Sequence, residues 1–437
     1  MKRITIIGTG YVGLVSGAGL SDFGNRVRCV DIGKKKIDLL NDGGMPIYEP
    51  GLKTLIGRSV DAKRLTFTLD LEDAIKWAEV VFIAVGTPQG ENGDADISAV
   101  IEVSEQIGKN LNNYKVISTK STVPIGTGKM IQNIIDQNNN DKIKYDYCSN
   151  PEFLREGTAV RDFLHPDRIV LGATSGKAFE YLIDVYRPLY INETPIIQTT
   201  VETAELIKYA ANAFLAIKIS YINEVANLCD EIGADVHVVA KTLGSDGRIS
   251  PKFLHPGPGF GGSCFPKDTK ALVETAKKYN IDMETVTAAI EANIFQRKRM
   301  LKKLNDLLDN NLKGKVIAIL GLAFKQETDD VRESPAIEII TGIHDKGGII
   351  KAYDPIAIDS MKEIFPALHF TSSWHEAVKG SDAAVIMTEW NEFRSMDLEK
   401  LKNLMSQPVV LDTRNILNVS ELKRLDFKFD NVGRRDA

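Results

Sequence analysis

The fold of this 437-residue chain is decided near its amino terminus by the stretch Ile4-Thr5-Ile6-Ile7-Gly8-Thr9-Gly10-Tyr11-Val12-Gly13. A short apolar strand run leads directly into a motif with three glycines, and Leu14–Leu20 after them is predicted to form a helix. In such a unit the first glycine permits a tight turn, the second lets a pyrophosphate approach the backbone, and the third lets the helix pack against the strand. The stretch therefore predicts a dinucleotide-binding turn, with the anion at the helix amino terminus.

An acidic residue, Asp31, ends the next predicted strand, Val27–Val30, 18 residues after Gly13. Its carboxylate can accept hydrogen bonds from both ribose hydroxyls and would repel a 2′-phosphate, which favours NAD over NADP. Lys36 follows in the next segment, where contact with the adenosine end and simple solvation both agree with the sequence. The cofactor contacts predicted from this motif are Gly8, Gly10, Tyr11, Val12, Gly13, Asp31 and Lys36.

The composition limits the class of protein. The chain carries 54 Lys and Arg against 59 Asp and Glu, a net charge of −5, and has no basic block of the kind that binds nucleic acid. No apolar run reaches about 18 residues, so we expect no membrane-spanning helix. Four cysteines are too few for a disulfide framework, which favours reduced thiols in a cytoplasmic protein.

Apolar runs alternate with helix-length segments in both halves of the chain, a pattern typical of βαβ units. Between them, Thr203–Ile232 contains no Gly or Pro and follows the capping-box pattern Thr199–Glu202, so it predicts a long helix that ends at Gly233. A second helical tract, Asp268–Leu308, is interrupted near residues 279–282. We therefore predict an α/β fold with two Rossmann-like parallel-sheet domains joined by a long central helix and a helical segment. The predicted boundaries are 1–199 for the NAD-binding Rossmann domain, 200–311 for the central helical and dimerisation segment with the cysteine loop, and 312–437 for the second α/β domain.

The second α/β domain starts again with a strand-like run and a capped helix. Ser334 is the expected helix cap, with Pro335 in the first turn. Asp354 ends this domain's second strand as Asp31 ends that of the first domain, although no glycine triplet precedes it. The predicted strands are Val316–Leu320, Ile349–Tyr353, Ala383–Met387 and Val409–Leu411.

A second glycine-rich stretch, Gly259–Asp268, contains Cys264 just before a predicted helix. Glycines on both sides of Phe260 leave the backbone open to a ligand, and the helix start supplies amides and a positive dipole that favour a thiolate. Cys264 is therefore the candidate nucleophile. The other cysteines lie in strand or helix patterns and are predicted to be structural: Cys29, Cys148 and Cys229.

A dinucleotide motif together with an activated cysteine suggests the oxidation of an alcohol to an acid. This reaction removes two hydrides, and a cysteine can trap the aldehyde as a thiohemiacetal and then carry a thioester that water cleaves. Lys208 and Asn212 are four residues apart on one helix face and can donate to the developing oxyanion. An exposed polar stripe on the helix is the alternative, and the pattern alone leaves both open.

Eight motifs occur in the order and spacing of one known family. They are Gly8–Gly13, Thr87-Pro88, Ser121–Pro124, Asn150–Gly157, Lys208–Asn212, Gly261–Asp268, Phe324-Lys325 and Asp330–Ser334. Through them the chain resembles the UDP-glucose/GDP-mannose dehydrogenase family over about residues 1–420. The Asn-Pro-Glu-Phe-Leu and Ser-Cys-Phe-Pro-Lys-Asp segments are the most specific parts of the resemblance.

The resemblance implies an NAD-dependent, four-electron oxidation of UDP-glucose to UDP-glucuronate by a homodimer, with the UDP-sugar bound in the domain 312–437. The implied catalytic residues are the nucleophile Cys264, the oxyanion donors Lys208 and Asn212, the acid Asp268 that works with Lys208, the hydrolytic base Glu152, and Thr122, which helps to hold the water. The implied further cofactor contacts are Thr87, Thr122, Glu156, Lys267 and Arg332. The implied substrate contacts are Glu152, Phe153, Leu154, Arg155, Glu156, Lys208, Asn212, Phe253, Leu254, His255, Pro256, Gly257, Phe260, Gly261, Lys325 and Arg414, with Arg248 reaching the site of the neighbouring subunit.

Three other functions compete with this one. A sister enzyme of the family would oxidise UDP-N-acetylmannosamine or GDP-mannose instead. A two-electron β-hydroxyacid or 6-phosphogluconate-type dehydrogenase shares the glycine motif and a long helix but has no use for Cys264. A catalytically inactive NAD sensor would not need Lys208, Asn212, Cys264 and Asp268 together. No metal is expected, because the six histidines show no paired ligand spacing.

Overall fold

The computed structural model describes residues 1–90 and 93–434. The chain divides into two compact units: the first contains Met1–Ala211 and Lys277–Tyr279, and the second contains Asn212–Ala276 and Asn280–Ala437. The three-segment division at residues 199 and 311 stays a prediction, and its last three residues lie outside the described chain. No helix in the described ranges is long and apolar enough to cross a membrane.

The first unit is built on an eight-stranded sheet with the order β3-β2-β1-β4-β5-β6-β7-β8. Its strands are β1 Arg3–Ile7, β2 Arg26–Val30, β3 Leu65–Thr68, β4 Val80–Ile83, β5 Lys115–Thr119, β6 Tyr145–Ser149, β7 Ile169–Ala173 and β8 Ile196–Thr199. Its helices are α1 Tyr11–Asp22, α2 Lys34–Asn41, α3 Leu52–Asp61, α4 Leu71–Trp77, α5 Ser98–Asn110, α6 Thr127–Asn138, α7 Ala159–Leu164 and α8 Gly176–Val185, with a 3₁₀ turn at Arg187–Asn192.

Every neighbouring pair in this sheet is parallel except β6 and β7. The antiparallel pairing joins only Cys148 to Ala173 and Ser149 to Gly172. Strand β7 therefore overlaps only the last residues of β6 and projects past the edge at which β1 to β6 end. In an open α/β sheet this carboxyl edge is where ligands bind.

The second unit is built on a six-stranded parallel sheet with the order β11-β10-β9-β12-β13-β14. Its strands are β9 Val316–Leu320, β10 Ile349–Tyr353, β11 His369–Phe370, β12 Ala383–Ile386, β13 Val409–Asp412 and β14 Lys428–Asn431. Helix α9, Val201–Ile232, contains the residue at which the units divide. The other helices are α10 Val236–Ser245, α11 Phe265–Lys277, α12 Glu284–Leu307, α13 Pro335–Asp345, α14 Ile358–Ile364, α15 Trp374–Val378, α16 Asn391–Arg394, α17 Leu398–Leu404 and α18 Val419–Arg424.

Helices cover both faces of each sheet, as the continuous apolar runs of the central strands predict. In β1, Ile4 and Ile6 belong to one buried cluster and Ile7 to the cluster on the opposite face. Alternation along β9 works in the same way, with Ile317 and Ile319 on one face and Leu320 on the other.

The structure confirms the α/β class, the long helix and the break in the second helical tract. The predicted capping box is displaced by one residue. Strand β8 takes up Thr199, and the Thr200 hydroxyl instead accepts the hydrogen bond from Thr203 N at 3.3 Å. Gly233, with φ +72°, follows the helix end at Ile232 as expected.

Candidate active site

The turn after β1 has the shape that a dinucleotide pyrophosphate needs. Gly8 has φ +106°, and a Cβ there would lie 2.5 Å from the Ala84 carbonyl oxygen, so the position requires glycine. A Cβ at Gly13 would lie 1.9 Å from the Gly8 carbonyl oxygen. Gly10, in contrast, has no atom within 4 Å of its Cβ position. An anion can therefore enter at Gly10 and meet the free amides of α1, which begins with Tyr11 and Val12.

Asp31 is the acidic group beside this turn, and 12% of its side chain is exposed. Its carboxylate accepts hydrogen bonds from Thr9 N at 2.9 Å, from Thr9 Oγ1 at 2.6 Å and from Gly33 N at 2.9 Å. Lys36 Nζ lies 3.2 Å from the same carboxylate. Burial alone would raise the pKa of Asp31, but these hydrogen bonds and Lys36 outweigh it and lower the pKa. An ionised acceptor of this kind suits a ribose diol.

Two threonines at the carboxyl edge lie together. Thr87 follows β4, Thr122 follows β5, and Thr87 Oγ1 donates to the Thr122 carbonyl oxygen at 2.8 Å. Both are half-buried. The bond ties the two loops that the resemblance assigned to the cofactor and to the hydrolytic water.

Glu152 and Lys208 form a buried ion pair in the first unit. Lys208 Nζ lies 2.8 Å from Glu152 Oε1, and the two side chains are 4% and 5% exposed. Leu154 N donates to the other carboxylate oxygen of Glu152. Lys208 Nζ is also 5.5 Å from the centre of the Phe153 ring, so four of the predicted substrate residues surround one point. The arrangement places a carboxylate base and a cation side by side away from bulk water.

Cys264 stands directly before α11, and Asp268 N donates to the Cys264 carbonyl oxygen at 2.8 Å, as in the first turn of a helix. Its side chain is half-buried, whereas Cys29, Cys148 and Cys229 are buried. Burial raises the pKa of Cys29 and of Cys148 to about 12, so these two thiols stay protonated. Position and access therefore single out Cys264 as the nucleophile candidate.

The loop before Cys264 is held closely by its surroundings. Asn293 of α12 accepts from Phe260 N at 2.7 Å and donates to Phe260 O at 3.0 Å. A Cβ at Gly261 would lie 2.3 Å from the Glu333 carbonyl oxygen, and Gly262 adopts φ +82°. These contacts fix the backbone around Phe260 and Gly261, which the resemblance assigned to the substrate.

Asp268 is the most buried acid near Cys264, with 1% exposure. Its Oδ1 accepts from Lys267 Nζ at 2.6 Å, and its Oδ2 accepts from Asn212 Nδ2 at 2.6 Å. The second unit therefore brings Asn212, Lys267, Asp268 and Cys264 into one segment of structure. The roles that the resemblance implies for these four residues stay predictions.

The loops after β9, β12 and β13 meet around Arg414. Arg414 Nε donates to Met387 O at 2.8 Å and its Nη2 donates to Phe324 O at 2.6 Å. Lys325 Nζ lies 5.5 Å from the Phe324 ring centre. The loop 253–257 is adjacent, because a Cβ at Gly257 would be 3.6 Å from Arg414 Nη1. Two cations and this loop thus share the carboxyl edge of the second sheet, where the predicted substrate contacts Phe253, Leu254, His255, Pro256 and Gly257 lie.

Three predicted arginines pair with acids close to them in sequence. Arg155 contacts Asp162 at 2.6 Å, Arg332 contacts Asp330 at 2.8 Å, and Arg248 contacts Asp246 at 2.6 Å. The Arg248 side chain is 89% exposed. Glu156 is half-buried in the segment that follows Glu152. In the described ranges, no group of three or more His, Cys, Asp and Glu side chains is suited to a metal ion.

Sequence reasoning missed Glu49, which fixes the glycine-turn helix to the Asn150–Gly157 segment. Its carboxylate accepts hydrogen bonds from the Tyr11 hydroxyl and from Gly157 N, the latter at 2.7 Å. Burial and the hydrogen bond to Glu49 raise the pKa of Tyr11, which keeps the phenol a donor. The sequence offers one signal for this segment: Pro50 and Gly51, residues typical of turns, directly follow Glu49.

Arg168 and Lys120 were missed as well. The Arg168 guanidinium lies 3.7 Å from the Phe153 ring centre, and Lys120 Nζ contacts Asn150 Oδ1 at 3.2 Å. The available signal for Lys120 was its place between a strand and the Ser121–Pro124 motif. The sequence offers no such signal for Arg168, because the reversed direction of β7, which brings this residue to the carboxyl edge, is not visible in the sequence.

Three models of one family match consecutive parts of the chain. The NAD binding domain of the UDP-glucose/GDP-mannose dehydrogenase family matches residues 2–190, the central domain of that family matches 202–294, and its UDP binding domain matches 318–419. A UDP-glucose 6-dehydrogenase of Rhizobium meliloti is 46% identical over 99% of this chain and 100% of its own length. A UDP-glucose 6-dehydrogenase of Bacillus subtilis is also 46% identical, over 99% of this chain and 94% of its own.

Solved structures give the same result. A UDP-glucose dehydrogenase from Pyrobaculum islandicum superposes with a TM-score of 0.90 at 34% identity, covering 95% of each chain. A UDP-D-ManNAc dehydrogenase from Pyrococcus horikoshii superposes with a TM-score of 0.87 at 27% identity, covering 100% of each chain.

Proposed function

The chain belongs to the UDP-glucose/GDP-mannose dehydrogenase family, and we propose that its own reaction is the NAD-dependent oxidation of UDP-glucose to UDP-glucuronate. The observation that carries the proposal is the set of groups that four-electron chemistry needs: a half-buried nucleophile candidate one helical turn before Asp268, which Asn212 contacts, and a buried carboxylate paired with Lys208. Full-length relatives at 46% identity carry the name of this activity.

The cofactor is proposed to lie on the glycine turn, with its pyrophosphate at Gly10 and its adenosine ribose at Asp31 and Lys36. When bound, NAD accepts the hydride released in each of the two oxidations. Thr87, Thr122, Glu156, Lys267 and Arg332 are the further cofactor contacts proposed from the family resemblance.

In the proposed reaction, Asp268 and Lys208 take the proton of the C6 hydroxyl as the first hydride leaves, and Lys208 and Asn212 stabilise the oxyanion. The Cys264 sulfur then adds to the aldehyde carbon and forms a C–S bond. Loss of the second hydride turns the thiohemiacetal into a thioester. Both intermediates remain covalently bound through Cys264, so the aldehyde does not escape.

Hydrolysis completes the proposed cycle. Glu152 accepts a proton from a water that Thr122 helps to hold, the water oxygen bonds to the thioester carbon, and the C–S bond breaks with Cys264 leaving as thiolate. In sum, one alcohol, one water and two NAD give one carboxylate, two NADH and three protons. Glu152 and Lys208 are both buried, so the proposed base is kept away from bulk water.

The proposed substrate contacts at the second sheet are Lys325 and Arg414, whose charges suit a diphosphate, together with the loop 253–257, Phe260 and Gly261. In the first unit they are Glu152, Phe153, Leu154 and Arg155. We also propose a cytoplasmic homodimer in which Arg248, 89% exposed here, reaches the site of the partner.

The test is to incubate the purified protein with NAD and a panel of UDP- and GDP-sugars and to count NADH per sugar consumed. Two NADH per UDP-glucose, with UDP-glucuronate as product, are expected. A preference for UDP-N-acetylmannosamine or GDP-mannose would assign the chain to a sister activity. Cys264→Ala should form no acid, and full turnover by this variant would support a two-electron dehydrogenase instead.

A further inference from the structure

A buried ammonium group, that of Lys120, interacts electrostatically with the proposed hydrolytic base Glu152. Lys120, directly after β5, is 4% exposed. Its Nζ lies 3.2 Å from Asn150 Oδ1 and 3.1 Å from the Tyr186 hydroxyl oxygen, and the Phe163 and Tyr186 rings face it with centres at 5.9 and 5.7 Å. In residues 1–90 and 93–434 no carboxylate lies within ion-pair distance of this ammonium. It is thus a desolvated cation held by neutral groups. Burying such a charge costs free energy of folding, so its presence at this position calls for an explanation.

The three polar groups form a closed triangle on Asn150. The Tyr186 hydroxyl donates to Asn150 Oδ1 at 2.6 Å, so this oxygen accepts from both Lys120 and Tyr186. Asn150 in turn donates from Nδ2 to Val170 O at 2.9 Å and from its backbone N to Thr119 O at 2.8 Å. The triangle therefore fixes the point where β6 ends, and Glu152 is only two residues further along the chain.

Lys120 also contributes charge at this place. Burial lowers its pKa to about 8, while the Glu152 carboxylate raises that pKa and the Lys208 ammonium lowers it further. The three ionisable groups therefore interact electrostatically. When Lys208 turns its charge toward a substrate oxyanion, a second cation is still present beside Glu152.

We propose that Lys120 is a positioning residue for the hydrolytic half of the reaction: through Asn150 it holds the Glu152 carboxylate in place for the attacking water. The inference rests on the proposed function. Lys120 itself neither gives nor takes a proton; the water proton goes to Glu152, and the C–S electron pair goes to the Cys264 sulfur. The role is confined to the last step, after both hydrides have left.

The same strand supplies a matched control. Lys115, at the other end of β5, is 0% exposed, and its Nζ donates to Lys76 O, Ala78 O and Asn113 Oδ1. Burial lowers its pKa to about 8 as well. Lys115 lies at the edge opposite to the ligand edge, so Lys115→Met removes a buried ammonium from the same strand without approaching Glu152.

The experiment compares Lys120→Met with Lys115→Met after rapid mixing with saturating NAD and UDP-glucose. For Lys120→Met we expect a burst approaching two NADH per site, a steady-state rate about 10- to 100-fold below that of the wild type, and a thioester on Cys264 in acid-quenched samples measured by mass spectrometry. Lys115→Met should show neither burst nor adduct. Tyr186→Phe, which removes one side of the triangle, should show the same adduct at a lower level.

Equal slowing of NADH formation and of turnover in Lys120→Met, without adduct, would overturn the inference and leave Lys120 a structural lysine. If Lys120→Met does not fold, absence of adduct in Tyr186→Phe overturns it in the same way. These results are separate from the proposed function, which fails if the wild type forms no NADH with UDP-glucose.

Discussion

Both sheets contain the same glycine turn, after β1 in the first and after β9 in the second, but the residues around the two turns differ. In the first, Gly8 N donates to Val30 O at 2.7 Å; in the second, Gly321 N donates to Tyr353 O at 2.8 Å. Both glycines have positive φ, +106° and +99°, and a Cβ on either would lie 2.5 Å from a backbone atom just after the neighbouring strand, Ala84 O after β4 or Thr388 N after β12. The switch point, where crossovers leave in opposite directions, is therefore built alike in both units.

The acidic residues beside the two switch points differ in side-chain exposure and in the number of hydrogen bonds that they accept. Asp31 accepts from its own turn but keeps 12% of its side chain exposed. Asp354 is 1% exposed and accepts from five donors: Leu322 N, Ala323 N, Ile356 N, Ala357 N and Trp390 Nε1. An acid in the same topological position thus keeps part of its side chain exposed in one unit and holds a loop with all of its acceptors in the other.

The helices that follow explain the division of roles. Helix α1 begins three residues after Gly8, so its free amides lie at the turn, whereas α13 begins 14 residues after Gly321. The longer loop carries Lys325 and needs the support of Asp354. In the proposed function, one unit would bind a diphosphate with backbone amides, and the other with cationic side chains.

The largest effect expected from this comparison is on stability. Asp354→Asn should lower the free energy of unfolding by about 3 kcal/mol or more, because an amide nitrogen replaces one acceptor oxygen among buried donors. Urea unfolding measures it. Asp31→Asn is the matched control and should cost about 1 kcal/mol, since water reaches its side chain. Equal losses of unfolding free energy in the two variants would mean that both carboxylates stabilise their turns to the same extent.

A second expected effect is on substrate binding. Arg414→Met should raise the KM for UDP-glucose about 30-fold, equivalent to about 2 kcal/mol, because a charged donor is lost from the edge of the second sheet. The KM for NAD should stay unchanged. Arg414→Lys keeps the charge but not the two-sided hydrogen bonding, so its KM for UDP-glucose should lie between those of the wild type and of Arg414→Met. A parallel rise of the KM for NAD would break the assignment of one ligand to each sheet.

Asp31→Asn should give the converse result with a smaller effect. We expect the Kd for NAD to rise about tenfold, about 1.4 kcal/mol, and discrimination against NADP to narrow because the repelling charge is gone. Fluorescence titration of both cofactors measures it, with the KM for UDP-glucose as internal control. Unaltered NAD binding would show that the ribose does not contact this carboxylate.

The smallest effect expected is a pH dependence. The folded pKa of Asp31 is lowered, so its carboxylate contributes stability that is present above pH about 4 and is lost as the pH falls through the lowered pKa. Since the group is partly exposed, the contribution is about a few tenths of a kcal/mol. Between about pH 6 and about pH 2.5 the wild type should lose that much more stability than Asp31→Asn. The same loss in both proteins would argue against an ionised, hydrogen-bonded Asp31.

The parts of this fold that depend on local pattern could be predicted from the sequence. The glycine turn, the acid after β2, the long helix and the second sheet follow from residues near one another in the chain. Strands β3, β8, β11 and β14 were not identified, because each is short and carries polar or charged residues among its apolar ones.

The site could be predicted only as far as its motifs extend. Cys264, Asp268, Glu152 and Lys208 lie in recognisable segments, and the structure pairs Glu152 with Lys208 across 56 residues of sequence. Two other features of the site depend on tertiary contacts. They are the Lys120–Asn150–Tyr186 triangle and the hydrogen bonds between Asn293 and Phe260 in the cysteine loop. No spacing rule reports such contacts, because the partners belong to different elements.

The short overlap of β6 and β7 sets a requirement on chain length. Thr199 pairs with Gly172, which pairs with Ser149, so α9 starts level with the carboxyl edge. From there the seven helical steps from Val201 to Lys208 cover about 10 Å along the helix axis, about the length by which three strand residues of β7 project past the edge. Inserting one residue in this first stretch of α9 would rotate Lys208 by about 100° away from Glu152. Sequence variation here should therefore proceed by substitution, and length changes should be confined to the loops that precede the helix.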